Sequence, residues 1–207
     1  MNRFGEYIFY KFWDYLTENK NKLLYISVVS FFCVCLGIYF GLIEVEFLDI
    51  LKDDDGILFG LIRGDIDTIG LFWIKLLECC GILLILFLIN ISYYFNFLNY
   101  FLVAYQSILF GATCVSIIST YFVQGIFCVL LIVPINIALF FIISNLIIIL
   151  QGRAKFAHRY NIRFIDSVMY LNTIKRISIC FICFIFICAI YSFVFGILLK
   201  SFVFSIY

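Results

Sequence analysis

Five long apolar blocks, separated by short polar segments, make up most of this chain. A helix needs about 20 apolar residues to cross the hydrocarbon core of a bilayer, and each block is roughly that long. The pattern predicts an all-α, polytopic membrane bundle, with a short N-terminal segment at 1–22 followed by one membrane domain at 23–207. The predicted spans cover residues 23–43, 71–92, 101–119, 125–150 and 177–199.

The composition supports membrane insertion. Hydrophobic residues make up 66% of the chain and charged residues only 13%, whereas soluble domains have about 45–50% apolar and about 25% charged residues. The formal net charge is +1, and no cluster of lysine and arginine is interleaved with stacking aromatics. The sequence therefore gives no electrostatic basis for nucleic-acid binding, and the lipid bilayer is its expected environment.

The polar segments are segregated by charge. Residues 44–67 form an acidic connector, in which only Lys52 and Arg63 are basic, and residues 151–176 form a basic loop with the single acid Asp166. Loops rich in lysine and arginine remain in the cytoplasm. We therefore expect a multi-pass protein of the cell membrane, with a cytoplasmic N-terminus, an extracytoplasmic connector and an extracytoplasmic C-terminus. The N-terminal segment mixes aromatic and charged residues, which is typical of an interfacial helix.

Pro134, the single proline, lies within the longest apolar run, Phe122 to Leu150. As one straight helix, the run would extend about 43 Å, beyond the roughly 30 Å hydrocarbon core. A proline also removes the hydrogen bond to the carbonyl four residues earlier, that of Leu130. We therefore expect two half-helices, 125–133 and 135–150, that meet at a break buried by the first and third spans.

Two glycine patterns stand out. Gly37 and Gly41 form a GxxxG motif near the end of the first span, which removes side chains from one face and allows another helix to approach closely. The connector carries Gly56, Gly60 and Gly64 at the same spacing. A short helix on the outer leaflet and a flexible loop are both compatible with this second pattern.

Lys75 and Glu78 are the charged residues within the second apolar block. Their i,i+3 spacing places them on one face of a helix, where they can form an ion pair. One interpretation is an interfacial first turn, from which both side chains reach water. The alternative is an intramembrane functional pair.

The sequence shows no catalytic, cofactor or metal site. His158 is the single histidine, and Asp166 lies two helical turns away, about 12 Å along a helix axis. The nine cysteines all lie in or beside apolar blocks, so we expect free thiols. Cys180 and Cys183 have the spacing of a zinc or redox pair but no second pair nearby. We therefore expect a protein that is not an enzyme.

Several short motifs occur in an order that resembles the stage II sporulation protein M family. They are GIYFG at Gly37 to Gly41, ILFG ending at Gly111, Gly125 at the start of the next segment, and IVPIN at Ile132 to Asn136. The length, the five-span layout and the basic last loop are similar too. In broader relatives a glutamate follows five residues after the proline. Leu139 stands there in this chain, which favours a structural break over a transport site.

The resemblance implies a non-enzymatic membrane scaffold that works with a peptidoglycan hydrolase and a second membrane partner in cell-wall remodelling during engulfment. A second copy of the chain is a further candidate partner. The alternative is a small transport protein or a permease-like subunit, which a polar cavity reaching Gln124, Asn136, Asn145 or Glu78 would favour. Under the scaffold interpretation, the helix-packing or partner-binding residues are Gly37, Gly41, Gly111, Gly125, Pro134 and Asn136.

Overall fold

The structure, a computed structural model, describes residues 17–43 and 68–194. The expectations for the acidic connector and its three glycines, for most of the N-terminal segment and for residues 195–207 lie outside these ranges. Within them, the side chains that are not described are those of Thr68, Thr120, Tyr121 and Gln124.

The described residues are helical almost throughout. Five stretches are long and apolar enough to cross a membrane, which confirms the predicted all-α, polytopic fold. The helices are α1 Lys20–Ile43, α2 Thr68–Asn90, a 3-10 turn Tyr93–Phe95, α3 Leu98–Tyr160, α4 Phe164–Val168 and α5 Leu171–Val194. Spans one to five are Lys20–Ile43, Ile69–Asn90, Tyr93–Ser119, Gly125–Tyr160 and Leu171–Val194.

Helix α3 contains two spans that form a hairpin. At Phe122 the backbone has φ 47° and ψ −120°, a conformation that residues other than glycine rarely adopt. A Cβ atom on Gly125 would lie 2.5 Å from the carbonyl oxygen of Ile117 and 2.8 Å from the Cα of Ile118. Residues seven or eight apart are about 10–12 Å apart along a straight helix. The chain therefore reverses direction between spans three and four.

Spans one and three lie side by side and run parallel. The rings of Tyr25 and Tyr100 make an edge contact at 5.3 Å between centroids, and the hydroxyls of Ser30 and Ser107 lie 2.8 Å apart. Farther along, Gly41 faces Val115. The residue numbers in both spans increase together, so span two must return the chain across the membrane between them.

Spans two, four and five pack around a shared apolar core. Leu86, Ile147 and Phe184 are fully buried there, and Leu139 is only 7% exposed. At one end of this core, the short helix α4 inserts Phe164, whose ring lies 5.3 Å from that of Phe87. Helix α4 therefore closes the end of the bundle from which the basic segment emerges.

The predicted break at Pro134 is wrong. Inside α3 only Phe122 has non-helical dihedral angles, so span four continues through the proline as one helix. Nearby, the side-chain amide of Asn136 donates to the carbonyl of Ile132 over 3.2 Å. Membrane helices tolerate proline because side chains and small local adjustments bond the freed backbone groups. Span four thus runs unbroken from Gly125 to Tyr160, 36 residues or about 54 Å, and its basic end extends beyond the roughly 30 Å hydrocarbon core.

The expected burial of this position by spans one and three is also wrong. Pro134 is exposed, and Leu130, whose carbonyl loses its usual partner, has 64% of its surface exposed. The buried positions in this part of span four are Ile132 and Leu139, seven residues apart and thus on one face. Pro134 lies about 200° around the helix from Ile132, which directs it away from the bundle.

The basic segment 151–176 is largely helical, whereas the sequence suggested a loop. Helix α3 continues to Tyr160 and ends at Asn161, whose φ of 53° and ψ of 40° place it in the left-handed region. Asparagine is among the residues that most readily adopt this conformation at a helix end. Basic side chains in the last turn also interact favourably with the negative end of the helix dipole. Span five therefore begins at Leu171.

Candidate functional site

An ion pair lies inside span two. The ammonium of Lys75 donates to a carboxylate oxygen of Glu78 over 2.6 Å. Span two begins at Ile69, so Glu78 lies about 13 Å along the axis from its start. The side chain of Lys75 is 20% exposed and that of Glu78 is 40% exposed. The pair therefore lies about two to three turns into the helix. The interfacial interpretation had assigned it to the first turn.

Span five completes this site. The ammonium of Lys75 lies 5.1 Å from the centroid of the Tyr191 ring, within the range of a cation–π interaction. The sulfur atoms of Cys79 and Cys188 lie 3.5 Å apart, and these residues are 3% and 0% exposed. We use the name span two–five cluster for five residues: Lys75, Glu78, Cys79, Cys188 and Tyr191.

The chemistry of the span two–five cluster favours holding two spans together. Lys75 and Glu78 compensate each other's charge, and Tyr191 gives the ammonium a second, uncharged contact. A charged pair deep in a membrane helix is costly unless such partners surround it. The described residues contain no group of three or more His, Cys, Asp or Glu side chains that could hold a metal ion.

Sequence reasoning identified Lys75 and Glu78 but missed the members of the cluster on span five. A signal was present in the spacing. Lys75 and Cys79 are four residues apart on span two, and Cys188 and Tyr191 are three apart on span five, so each pair shares one helix face. The sequence does not show which spans are neighbours, and the pairing of the two faces depends on that arrangement.

A second polar site closes the turn between spans two and three. Asn90 and Asn99, both fully buried, exchange amide hydrogen bonds of 3.0 and 3.1 Å. The remaining amide protons are donated to the carbonyls of Leu86, at 2.7 Å, and Asn96, at 3.0 Å. All four side-chain N–H groups are therefore bonded. The tyrosines and asparagines of residues 93–100 are typical of a membrane–water boundary, but no sequence pattern identifies Asn90.

Spans three and four are tied together at the same end. The side-chain amide of Gln151 donates to the carbonyl of Asn96 over 3.2 Å. His158 stacks on Tyr93 with ring centroids 5.0 Å apart and an interplanar angle of 8°, and its edge faces Tyr94 at 5.4 Å. His158 thus anchors the end of α3 against the turn after span two through ring contacts.

The predicted packing glycines come together between spans one and three. A Cβ on Gly37 would lie 2.9 Å from the carbonyl carbon of Ile108, and a Cβ on Gly111 would lie 3.2 Å from the Cα of Gly37. A Cβ on Gly41 would lie 3.2 Å from the Cβ of Val115. This face is therefore occupied by the chain's own third span.

The remaining predicted residues do not join that contact. Gly125 packs against the end of span three at the hairpin, Pro134 is exposed, and Asn136 bonds to its own helix. All nine cysteines are free thiols. The functional candidates thus divide into a glycine contact, the span two–five cluster and an amide site. Comparison of the chain with protein-family models, with curated proteins and with solved structures gives no match.

Proposed function

We propose that this protein is a non-enzymatic, multi-pass membrane scaffold that holds other membrane proteins. The observation that carries the proposal is the backbone contact between spans one and three at Gly37, Ile108 and Gly111. Small residues that allow helices to approach so closely favour stable packing in a membrane. A firmly packed bundle suits a protein that presents fixed surfaces to partners.

Polar side chains within the spans form hydrogen bonds inside the chain, which also supports a scaffold. Asn145 donates to the carbonyl of Phe141 over 2.7 Å, and Asn136 bonds to its own helix in the same way. The hydroxyl of Ser107 donates to the carbonyl of Val103, so the hydroxyl of Ser30 donates to Ser107. Substrate pathways require polar groups that are available to the substrate, whereas these groups are bonded within the chain.

The finer proposal is a role in bacterial cell-wall remodelling. It rests on the ordered motifs that resemble the stage II sporulation protein M family and on the burial of Leu139, 7% exposed, at the position where broader relatives carry glutamate. In this proposal a peptidoglycan hydrolase supplies the chemistry, and a second membrane protein completes the assembly. The exposed face of span four, which includes Leu130 and Pro134, is the surface we assign to a partner span.

Affinity purification tests this proposal. The tagged chain is extracted in a mild detergent from its native cells, and the recovered proteins are quantified by mass spectrometry against an unrelated five-span protein with the same tag. We expect enrichment of a peptidoglycan hydrolase and a second membrane protein. Recovery of neither, in cells that express both, would contradict the role. Co-expression with a differently tagged copy shows whether the chain also binds itself.

The proposed orientation places the N-terminus in the cytoplasm and the C-terminus outside. The supporting observation is the sign of the charge in the acidic connector and in the basic segment. An Asp54→Cys variant treated on intact cells with a membrane-impermeant maleimide should be labelled, whereas the native chain provides the background. Protection of that cysteine in intact cells, together with labelling in lysed cells, would reverse the proposed topology.

A transport protein is the second candidate, and the partial exposure of Glu78 favours it. Glu78 keeps 40% of its side chain exposed although it lies inside a span, as expected of residues on ion or proton pathways. The test is proteoliposome flux with the native chain and with a Glu78→Gln variant. Flux that depends on Glu78, without partner recovery in the purification, would support transport over the scaffold.

A further inference from the structure

Arg153 lies in span four just beyond its apolar part, about two turns before the helix ends at Tyr160. It lies three residues after Leu150, where the long apolar run ends, which is about 4.5 Å farther along the helix axis. Its guanidinium carbon lies 5.9 Å from the ring centroid of Phe156 and 5.4 Å from that of Tyr170. Because the apolar run ends at Leu150, we expect these two rings to hold the side chain at the depth of the lipid headgroups.

The charge of Arg153 is not compensated within the described part of the chain. The ion pair seen there is Lys75–Glu78, and Asp166 is the only acid between Arg153 and Arg176. Contacts with ring faces leave the in-plane N–H groups of a guanidinium available. These groups form a planar fork that matches two oxygens of one phosphate.

Exposed apolar side chains flank Tyr170, one of the two rings that contact this cation. Met169 is 66% exposed, Tyr170 52% and Leu171 68%, and the ring of Phe156 also contacts that of Tyr170. A free phosphate ion would leave these side chains in water. A phosphate that carries acyl chains would cover them, because the chains lie beside the apolar residues when the headgroup lies beside the guanidinium.

We propose that Arg153, Phe156 and Tyr170 form a binding site for the phosphate headgroup of an anionic phospholipid at the membrane surface. Arg153 binds the phosphate, the two rings fix its orientation, and the apolar side chains of Met169 and Leu171 contact the upper acyl chains. The surrounding cations add a long-range attraction for anionic lipid. The site is independent of whether the protein is a scaffold or a transporter.

The chain offers a matched control in Lys155. It lies on the same helix, two residues after Arg153, and is exposed. Two residues correspond to about 200° around a helix, so Lys155 is on the opposite side, away from Tyr170. Arg153→Gln and Lys155→Gln each remove one positive charge from nearly the same depth, but only the first removes the proposed ligand.

The experiment measures phospholipid binding to the purified full chain by native mass spectrometry, with phosphatidylglycerol and phosphatidylcholine added in turn. We expect Arg153→Gln to weaken binding of phosphatidylglycerol about tenfold, and Lys155→Gln to weaken it less than twofold. Arg153→Lys keeps the charge without the fork, so it should fall between the native chain and Arg153→Gln. If Arg153→Gln elutes as aggregate, Arg153→Lys and Tyr170→Leu provide the same comparison.

Three results would overturn the proposal. Equal weakening by Arg153→Gln and Lys155→Gln would show a diffuse charge effect without a site. Equal binding of phosphatidylcholine and phosphatidylglycerol to the native chain would show that the anionic headgroup is not recognised. Displacement of phosphatidylglycerol by inorganic phosphate at equal concentration would show an anion site that does not require the lipid.

Discussion

Replacement of Gly37 by alanine tests the contact that holds spans one and three together. The added Cβ would lie 2.9 Å from the carbonyl carbon and 3.0 Å from the Cα of Ile108. Both are backbone atoms, so no side-chain rotation can relieve the overlap. Overpacking of this kind costs about 3 kcal/mol, and alanine recovers about 1 kcal/mol of helix propensity over glycine. We expect Gly37→Ala to lower the free energy of unfolding by about 2 kcal/mol.

Two other glycines provide graded controls. At Gly41 the nearest atom to an added Cβ is the side-chain Cβ of Val115 at 3.2 Å, and at Gly81 no heavy atom lies within 4 Å. Gly41→Ala should therefore change stability little. Gly81→Ala should be neutral or stabilise the protein by up to about 1 kcal/mol.

The assay is equilibrium unfolding in mixed micelles with a rising fraction of sodium dodecyl sulfate, followed by circular dichroism. A loss of about 2 kcal/mol raises the unfolding equilibrium constant about 30-fold, which moves the transition well outside experimental scatter. Equal free energies of unfolding for Gly37→Ala and Gly81→Ala would refute the close backbone contact, since only one of these positions is blocked.

Three further predictions concern the other sites. Oxidation with copper phenanthroline should join Cys79 to Cys188, because their sulfur atoms need to move closer by only about 1.5 Å to reach bonding distance. Mass spectrometry should recover the linked peptides, and failure to find them would contradict the contact between spans two and five. Asn99→Leu should cost about 2 kcal/mol because buried Asn90 loses its partner, and the double variant Asn90→Leu/Asn99→Leu should regain part of this in the same detergent titration. Phe122→Gly should stabilise the protein by about 1 kcal/mol by relieving its positive φ; an equal gain for Phe122→Ala, which keeps a Cβ, would contradict that reason.

The number of spans and the glycine contact could be predicted because both depend on local properties. Apolar length determines whether a segment can span a bilayer, and the spacing of Gly37 and Gly41 leaves one helix face without side chains whatever packs there. The sequence did not show that span three is the neighbour of span one. It depends on how span two returns the chain, and no local pattern encodes that path.

The failures have a common physical cause. Pro134 was expected to break span four, because the pattern shows a lost hydrogen bond but not the local adjustments that keep the helix intact. The actual turn is at Phe122, a residue type that gives no sign of a positive φ. The link between Asn90 and Asn99 and the contact of Lys75 with Tyr191 depend on tertiary placement. These sites could not be located before the spans were arranged.

The parallel pairing of spans one and three also bears on how the protein is made. Gly37 and Gly111 are 111 − 37 = 74 positions apart in the sequence, and ribosomes add about 5–20 residues per second. Span one therefore waits about 4–15 s in the membrane before its partner leaves the ribosome. During that interval its glycine face is open to lipid or to other nascent helices. The bundle can therefore close at this face only after the third span has been inserted.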